Sequence, residues 1–470
     1  MHMTKTTASA AGSWRELLGR EYGGATTVLA GGVAIYAINE FITMSLLPSA
    51  VADIGGERLY AWVTTVYLVS SVVAATTVGP VLTRFGPRWS YLGALLSFSA
   101  GSALCTLAPT MQLLLVGRVV QGLAGGLLAG LGYAVISAAL PDRLWTRASA
   151  VVSAMWGIGT LIGPTTGGLF AQFGAWRGGF GALAILAVAM SLLVPIALPA
   201  RAPSSAEDSA GPRIPAWSLV LLGLAALAVS AAAIPRNVAV TVGLLTLGVV
   251  LVLAFLVVDR RAVAAVLPSS AFGPGPLKWI YASLGLLMAA TMVDMYVPLF
   301  GQRLGGLAPV VAGFLGAALS VGWTVGEIAS ASVTNIRATV RLVAAAPLVM
   351  ATGLMLAAFS QTDGATVGYV AVWAVALAIA GAGIGIAWPH LSAWAMGSVV
   401  DDPAEQAVAA AAINTVQLMC GAFGAGLAGV LVNLRESADA NAAQWMFGVF
   451  AAFAAVGVVA SYRSGRGQIR

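Results

Sequence analysis

Residues 159–168 read Gly159-Thr160-Leu161-Ile162-Gly163-Pro164-Thr165-Thr166-Gly167-Gly168, inside a longer stretch from 148 to 180. The glycines at 159, 163 and 167 recur every four residues, so on a helix they form one stripe without side chains. In an apolar setting such a stripe lets a neighbouring helix approach to backbone distance. Pro164 removes a backbone donor and crowds the preceding turn, which predicts a bend and a candidate hinge. An ordinary small-residue helix contact would explain the glycines but not the proline.

The composition of this 470-residue chain excludes a soluble globular protein. Hydrophobic residues make up 59% of the chain and charged residues 9%, whereas soluble domains carry about 25% charged residues. Apolar runs of roughly 20 residues recur along the chain, and each can cross a hydrocarbon layer about 30 Å thick. We therefore predict an all-α polytopic membrane protein.

Fourteen apolar runs are long enough to be membrane spans. The seventh and eighth carry almost no polar side chains, so we expect them to face lipid rather than to build a site. The predicted spans are 26–49, 60–82, 89–108, 111–139, 147–171, 178–199, 216–234, 237–258, 279–300, 308–332, 338–359, 366–397, 405–433 and 443–462.

These spans predict two six-helix bundles with two additional helices between them. Seventeen of the 23 lysines and arginines fall in segments that are cytoplasmic if the N-terminus is inside, which places both termini in the cytoplasm. The predicted order is a cytoplasmic segment with an interfacial helix (1–24), an N-terminal bundle (25–199), a cytoplasmic linker (200–214), two additional transmembrane helices (215–260), a cytoplasmic loop (261–278), a C-terminal bundle (279–462) and a cytoplasmic tail (463–470).

Several motifs resemble those of the fourteen-span drug:proton antiporter branch of the major facilitator superfamily. Gly159, Gly163, Pro164, Gly167 and Gly168 match every fixed position of its antiporter motif. Further similar segments lie at 62–68, 117–122, 176–180, 296–302 and 414–424. The resemblance implies a major facilitator fold of 14 transmembrane helices, whose two bundles rock around a central site.

Three positions depart from the pattern of that branch. Its gating loop is similar to Gly79, Arg84, Gly86 and Arg88 here, but Thr83 stands where an aspartate is usual. Asn39 stands at a second aspartate position, with Glu40 beside it, and Gln417 replaces a usual arginine. The first and third departures put the family's gating chemistry in doubt for this chain.

Four ionisable residues inside spans are candidates for proton coupling: Glu40, Arg118, Asp294 and Glu327. Each costs about 2.5–3.5 kcal/mol on insertion scales, which makes a functional role the default. Glu40 and Arg118 each lie about 12 Å from the outer end of a span, so we predict Glu40 as the proton carrier and Arg118 as the group that tunes it.

Structural alternatives remain open for each of these residues. Glu40 and Arg118 could form a fixed ion pair, and Asp294 could be a water-exposed carboxylate at a span end. Glu327 could contact Arg337 or Arg341. His390 could bind protons, although a packed neutral histidine is the alternative.

The expected substrate cavity is apolar and aromatic, with few polar side chains. Such linings hold bulky hydrophobic compounds, and aromatic faces beside a carboxylate favour lipophilic cations. Half or more of the aromatic residues could instead be interface or helix-contact residues. The predicted substrate-binding residues are Asn39, Trp62, Tyr67, Gln121, Tyr133, Trp156, Tyr296, Trp323, Trp388, Asn414 and Gln417.

No motif indicates an enzyme or an ATP-driven pump. The chain lacks a Gly-x-x-x-x-Gly-Lys-[Ser/Thr] loop and a Cys/His cluster with metal spacing, so no cofactor, metal or nucleic acid is expected. We predict a monomeric, multi-pass transporter of the inner or plasma membrane that exports hydrophobic or cationic drugs or drug-like metabolites in exchange for protons. A lipid or lipid-linked envelope component as cargo, and a transport-inactive membrane sensor or scaffold, are the alternatives.

Overall fold

The computed structural model describes residues 13–200, 214–235, 237–333, 335–398, 403–434 and 440–469. Outside them lie residues 1–12 of the predicted N-terminal segment (1–24), residues 201–213 of the predicted linker (200–214), Arg236 and Arg435. The described α-helices are α1 (Trp14–Leu17), α2 (Gly23–Ile54), α3 (Tyr60–Ala75), α4 (Val78–Thr106), α5 (Met111–Ala134), α6 (Ile136–Ala139), α7 (Asp142–Gln172), α8 (Trp176–Ala197), α9 (Ala216–Ala231), α10 (Val238–Arg261), α11 (Leu277–Thr291), α12 (Val297–Gly305), α13 (Pro309–Ala331), α14 (Ile336–Ser360), α15 (Val367–Gly397), α16 (Pro403–Asn433) and α17 (Ala440–Ile469).

The helices pack as two groups joined along two seams. Helices α2 to α8 pack mainly among themselves, with α7 along α2 and α5 along α3 and α4. Helices α11 to α17 pack likewise, with α13 along α15 and α14 along α17. The groups meet where α7 contacts α13 and where α3 contacts α16. A space enclosed between the groups must therefore lie between these two seams.

Twelve helical segments in the described parts of the chain are long and apolar enough to cross a membrane. One of them, Leu277–Gly305, combines α11 and α12 through the 3₁₀ turn Met292–Tyr296. Helix α4, with 29 residues, and helix α9, with 16, occupy two further predicted span positions but are not among the twelve. The prediction of fourteen spans is thus confirmed for twelve.

The glycine stripe of α7 packs against α2, and the predicted close approach is confirmed. A Cβ atom on Gly159 would lie 2.8 Å from the Cβ of Ala37, and one on Gly163 would lie 2.4 Å from the Cβ of Phe41. Both distances are shorter than a carbon–carbon contact allows. The glycines are therefore required for the backbone approach of these two helices.

Helix α9 contradicts the prediction that both additional spans face lipid. The Oγ of Ser230 donates to Thr65 Oγ1 at 2.8 Å, and the indole N–H of Trp62 donates to the Ser230 carbonyl at 3.0 Å. A Cβ on Gly426 of α16 would lie 2.7 Å from the same Ser230 Oγ. Helix α9 thus touches α3 and α16 together, while α10 packs against α9 and leaves most of its side chains exposed.

The short helix α1 is fixed to the start of α7. The Ser13 hydroxyl accepts from the Glu16 N–H at 3.1 Å and so caps the start of α1. The Glu16 carboxylate lies 2.6 Å from Arg143, whose hydrogen bond lowers the pKa of Glu16. Because Arg143 lies in the first turn of α7, this pair ties the N-terminal helix to that bundle.

A matched pair of substitutions on α7 tests the glycine stripe. Gly163→Val should lower the melting temperature of the detergent-purified protein by about 5 °C or more, because the added side chain separates α7 from α2. Gly157→Val is the control: it also replaces a helical glycine by valine, but a Cβ at position 157 meets no atom within 4 Å. Equal melting temperatures for the two variants in a thermal unfolding assay would contradict the packing.

Candidate functional site

The two helix groups are in contact at the end of the molecule where α3 begins, which we call the closed end. Tyr60 and Tyr296 stack with ring centroids 4.7 Å apart, and the Tyr60 hydroxyl donates to the Met295 carbonyl at 3.1 Å. Arg303 pairs with Glu57 at 2.5 Å. These contacts join α3 to the segment around α12, so the space between the groups is blocked at this end.

A cavity of about 660 Å³ lies between the two groups in the opposite half of the molecule. Helices α2, α3, α5 and α7 supply one wall, and α11, α13, α15 and α16 supply the other, together with the 3₁₀ turn after α11. Its volume suits one drug-sized molecule. Tyr133, Ser153 and Thr324 line it and are exposed, so the cavity communicates with the surroundings.

Three carboxylates are the charged side chains that line this cavity within the described chain. Glu40 comes from α2, Asp294 from the 3₁₀ turn Met292–Tyr296, and Glu327 from α13. None forms an ion pair with a described lysine or arginine, and the lining contains no basic residue. Asp294 is 6% exposed and its Oδ1 has no hydrogen-bond partner. The cavity is therefore negatively charged whenever these acids are ionised.

Arg118 is buried beside the cavity rather than on its wall. Its exposed fraction is 2%, and its guanidinium lies 4.1 Å from the centre of the Tyr67 ring. It donates to four oxygen atoms: Gln121 Oε1 at 2.9 Å, the Val63 carbonyl at 3.1 Å, and Asn39 Oδ1 and Thr43 Oγ1 at 3.2 Å each. The guanidinium thus has four oxygen acceptors and an aromatic ring around it, and none of these partners is a carboxylate.

The structural alternative of a fixed Glu40–Arg118 ion pair is not formed among the described side chains. The role of Arg118 in tuning Glu40 stays a prediction. Asn39 faces Arg118, while Glu40 lines the cavity. Neighbouring residues point about 100° apart around a helix, so Asn39 turns toward Arg118 while Glu40 turns toward the cavity. The alternative contact of Glu327 with Arg337 or Arg341 is likewise not formed among the described side chains.

Six of the predicted substrate-binding residues line the cavity, and five do not. The six are Tyr133, Trp156, Trp323, Trp388, Asn414 and Gln417. Asn39, Tyr67 and Gln121 surround Arg118, Trp62 binds α9, and Tyr296 is in the closed end. The sequence does not show which face of each helix turns toward the cavity. For this reason only some of the predicted residues line it.

Sequence reasoning missed other lining residues, above all Tyr36. It lies four residues before Glu40 and hence on the same face of α2. Its ring meets Trp156 edge-on, with centroids 5.5 Å apart. On the opposite wall, Trp323 and Trp388 form a second ring pair at 5.3 Å. Aromatic rings thus lie on both sides of the carboxylates.

The predicted gating-loop residues lie at the end opposite the closed end. Gly86 interrupts α4 with φ of 74°, a conformation that glycine adopts without strain. Arg88 Nε donates to the Leu198 carbonyl at 3.0 Å, within its own helix group, and Arg84 is exposed. Gly79 is partly exposed beside them. His390 lies outside the lining, with Nε2 3.2 Å from the Ser330 carbonyl, as expected of a packed histidine.

The described residues contain no group of three or more His, Cys, Asp or Glu side chains that could hold a metal ion.

Comparisons with known proteins agree with this architecture. Residues 29–425 match the sequence profile of the Major Facilitator Superfamily. A probable multidrug-efflux transporter of Mycobacterium tuberculosis (strain ATCC 25618 / H37Rv) is 60% identical over 465 residues, with 98% of each chain covered. A multidrug transporter protein of Bacillus subtilis (strain 168) is 24% identical over 418 residues, or 85% of this chain and 73% of that protein.

Solved structures give the same result for the fold alone. The POT family transporter PepTSo superposes with a TM-score of 0.66 at 15% identity, covering 95% of this chain and 98% of that chain. A D-xylose-proton symporter superposes with a TM-score of 0.65 at 15% identity, covering 93% and 97%.

The Arg118 network predicts opposite effects for two substitutions at Asn39. Asn39→Asp should raise the melting temperature by about 2–5 °C, because it gives the buried guanidinium a charged partner. Asn39→Ala should lower it, because one acceptor of Arg118 is lost. Thermal unfolding of the purified variants measures both. An aspartate variant no more stable than the alanine variant would show that the Arg118 charge needs no partner.

Proposed function

This chain belongs to the Major Facilitator Superfamily, whose members are secondary transporters rather than enzymes, and from that premise we propose that it exports hydrophobic or cationic drugs or drug-like metabolites in exchange for protons. The observation that carries the proposal is the cavity with three carboxylates and no basic lining residue among the described side chains.

The mechanism follows from competition for the carboxylates. An ionised Glu40 or Asp294 attracts a cation, and protonation of the same group removes that attraction. A cavity that binds substrate on one side of the membrane and protons on the other therefore exchanges one for the other when access alternates. Substrate leaves as protons enter, and the proton gradient drives export.

The residues that line the cavity and the names of similar proteins both support the proposed class of substrate. The aromatic residues Tyr36, Trp156, Trp323 and Trp388 offer flat apolar contacts and favour cations. The relative with 60% identity is named as a probable multidrug-efflux transporter. An anionic lipid headgroup would meet carboxylates and no described basic side chain, so the charge of the lining favours drug-like cations over lipid cargo.

We also propose fourteen spans with both termini in the cytoplasm. Helix α4 packs along α5 and α8 as a spanning helix would, and α9 packs between α3 and α16. The excess of lysine and arginine in alternate loops supports the orientation. With this topology the cavity faces the cytoplasm, the N-terminal bundle is 25–199, the C-terminal bundle is 279–462, and the protein functions as a monomer.

Transport in proteoliposomes tests the proposal. Under an imposed pH gradient the native chain should accumulate tetraphenylphosphonium, and Glu40→Gln should reduce accumulation to the level of protein-free liposomes, because the glutamine cannot exchange a proton. Glu40→Gln should still let tetraphenylphosphonium move down its concentration gradient until the concentrations on the two sides are equal.

Glu21→Gln is the matched control, since Glu21 is exposed and lies outside the cavity. It should transport as the native chain does. Uphill transport by Glu40→Gln at the native rate would remove Glu40 from coupling. A native chain that moves no cation would favour a sensor or scaffold instead.

A further inference from the structure

The seam between α7 and α13 is closed in one half of the molecule and open in the other. A Cβ on Gly168 would lie 2.5 Å from the Cα of Val310, and one on Gly313 would lie 3.3 Å from the Pro164 carbonyl. Both contacts are on the side of the closed end. There the two helices touch backbone to backbone.

The same helix faces carry exposed residues two turns further from the closed end. Gly157 precedes Pro164 by seven residues and Ser320 follows Gly313 by seven, so both lie about 10.5 Å below the contact on the faces that meet there. Gly157 is exposed, Ser320 is partly exposed, and both line the cavity. Thr324, one turn beyond Ser320, is also exposed and also lines it. The cavity therefore reaches the gap between the helices.

Apolar side chains frame this gap on the outside. Ile158 and Leu161 of α7 are 39% and 61% exposed, and Val321, Val325 and Ile328 of α13 are 48%, 60% and 71% exposed. Exposed apolar residues on spanning helices are in contact with lipid tails. The gap therefore lies at the depth of the hydrocarbon and connects it with the interior.

The other seam is covered by α9. A Cβ on Gly223 would lie 3.3 Å from Val69 of α3, and further along α9 Ser230 contacts Thr65 of α3 and Gly426 of α16. At the closed end, Asn433 of α16 donates to the Ala233 carbonyl just after α9 at 3.2 Å. Helix α9 thus lies over the α3–α16 seam, so the two seams differ in their access to lipid.

We propose that the gap between Gly157 of α7 and Ser320 and Thr324 of α13 is the lateral entrance through which membrane-dissolved lipophilic cations reach the carboxylate cavity. Helix α9 confines lateral access to this side. The inference rests on the proposed export function and adds the route of the substrate. Lipophilic cations collect in the membrane, so an opening at that depth meets them at a higher concentration than an opening to water.

Tryptophan substitutions in the gap test the route. A Cβ at Gly157 meets no atom within 4 Å, so Gly157→Trp can begin its side chain in open space and extend it into the gap. Thr324→Trp narrows it from the opposite side. Both variants should lower the initial rate of pH-driven tetraphenylphosphonium transport in proteoliposomes by about fivefold or more, while the equilibrium Kd changes by less than about twofold, because an entrance controls rates and not affinity.

Gly93→Trp on α4 is the matched control, since Gly93 is also exposed with open space around its Cβ. It should transport as the native chain does. Native rates in both gap variants would overturn the entrance and leave the export function intact. A rise in Kd that matches the loss of rate would also overturn it, because the residues would then belong to the binding site. Absence of transport by the native chain would instead reject the export function.

Discussion

A charged side chain in a membrane-spanning helix is costly unless its neighbours hydrogen-bond it or it reaches water. Arg118 meets this constraint in the first way, with four oxygen acceptors and an aromatic face around it. Glu40 and Glu327 meet it in the second way, since both are partly exposed in the cavity. Asp294 is nearly buried and keeps an unpaired oxygen at the cavity wall. The helices therefore leave an open cavity beside the three acids and pack tightly around Arg118.

Glycine makes this arrangement sterically feasible. The stripe of α7 brings that helix to backbone distance from α2, which carries both Asn39 and Glu40. Helix α13 approaches α15 in the same way, since a Cβ on Gly381 would lie 1.8 Å from the Leu319 carbonyl. Each pair of helices is closely packed on one side of the cavity. In the proposed mechanism these pairs rock against one another, with the contacts of the closed end broken and remade.

Composition and periodicity predicted the membrane class, most helix positions and the close packing of α7. The resemblance of several motifs indicated the superfamily. The same sequence did not show which helix face turns inward. Asn39 and Glu40 are adjacent and both polar, yet Asn39 contacts Arg118 and Glu40 lines the cavity. Tyr36 could have been found from its spacing to Glu40. The position of α9 could not, because its contacts depend on the tertiary arrangement of α3 and α16 and on a single serine, Ser230.

Proton–cation competition at the cavity carboxylates is the central claim, and proton release on substrate binding tests it most directly. Tetraphenylphosphonium is added to the purified protein in weakly buffered detergent solution, at a pH where the protein binds this cation. The protein should then release protons in proportion to the amount of cation bound. The double variant Glu40→Gln, Asp294→Asn should release none. Saturable binding to the native chain without any proton release would contradict the mechanism.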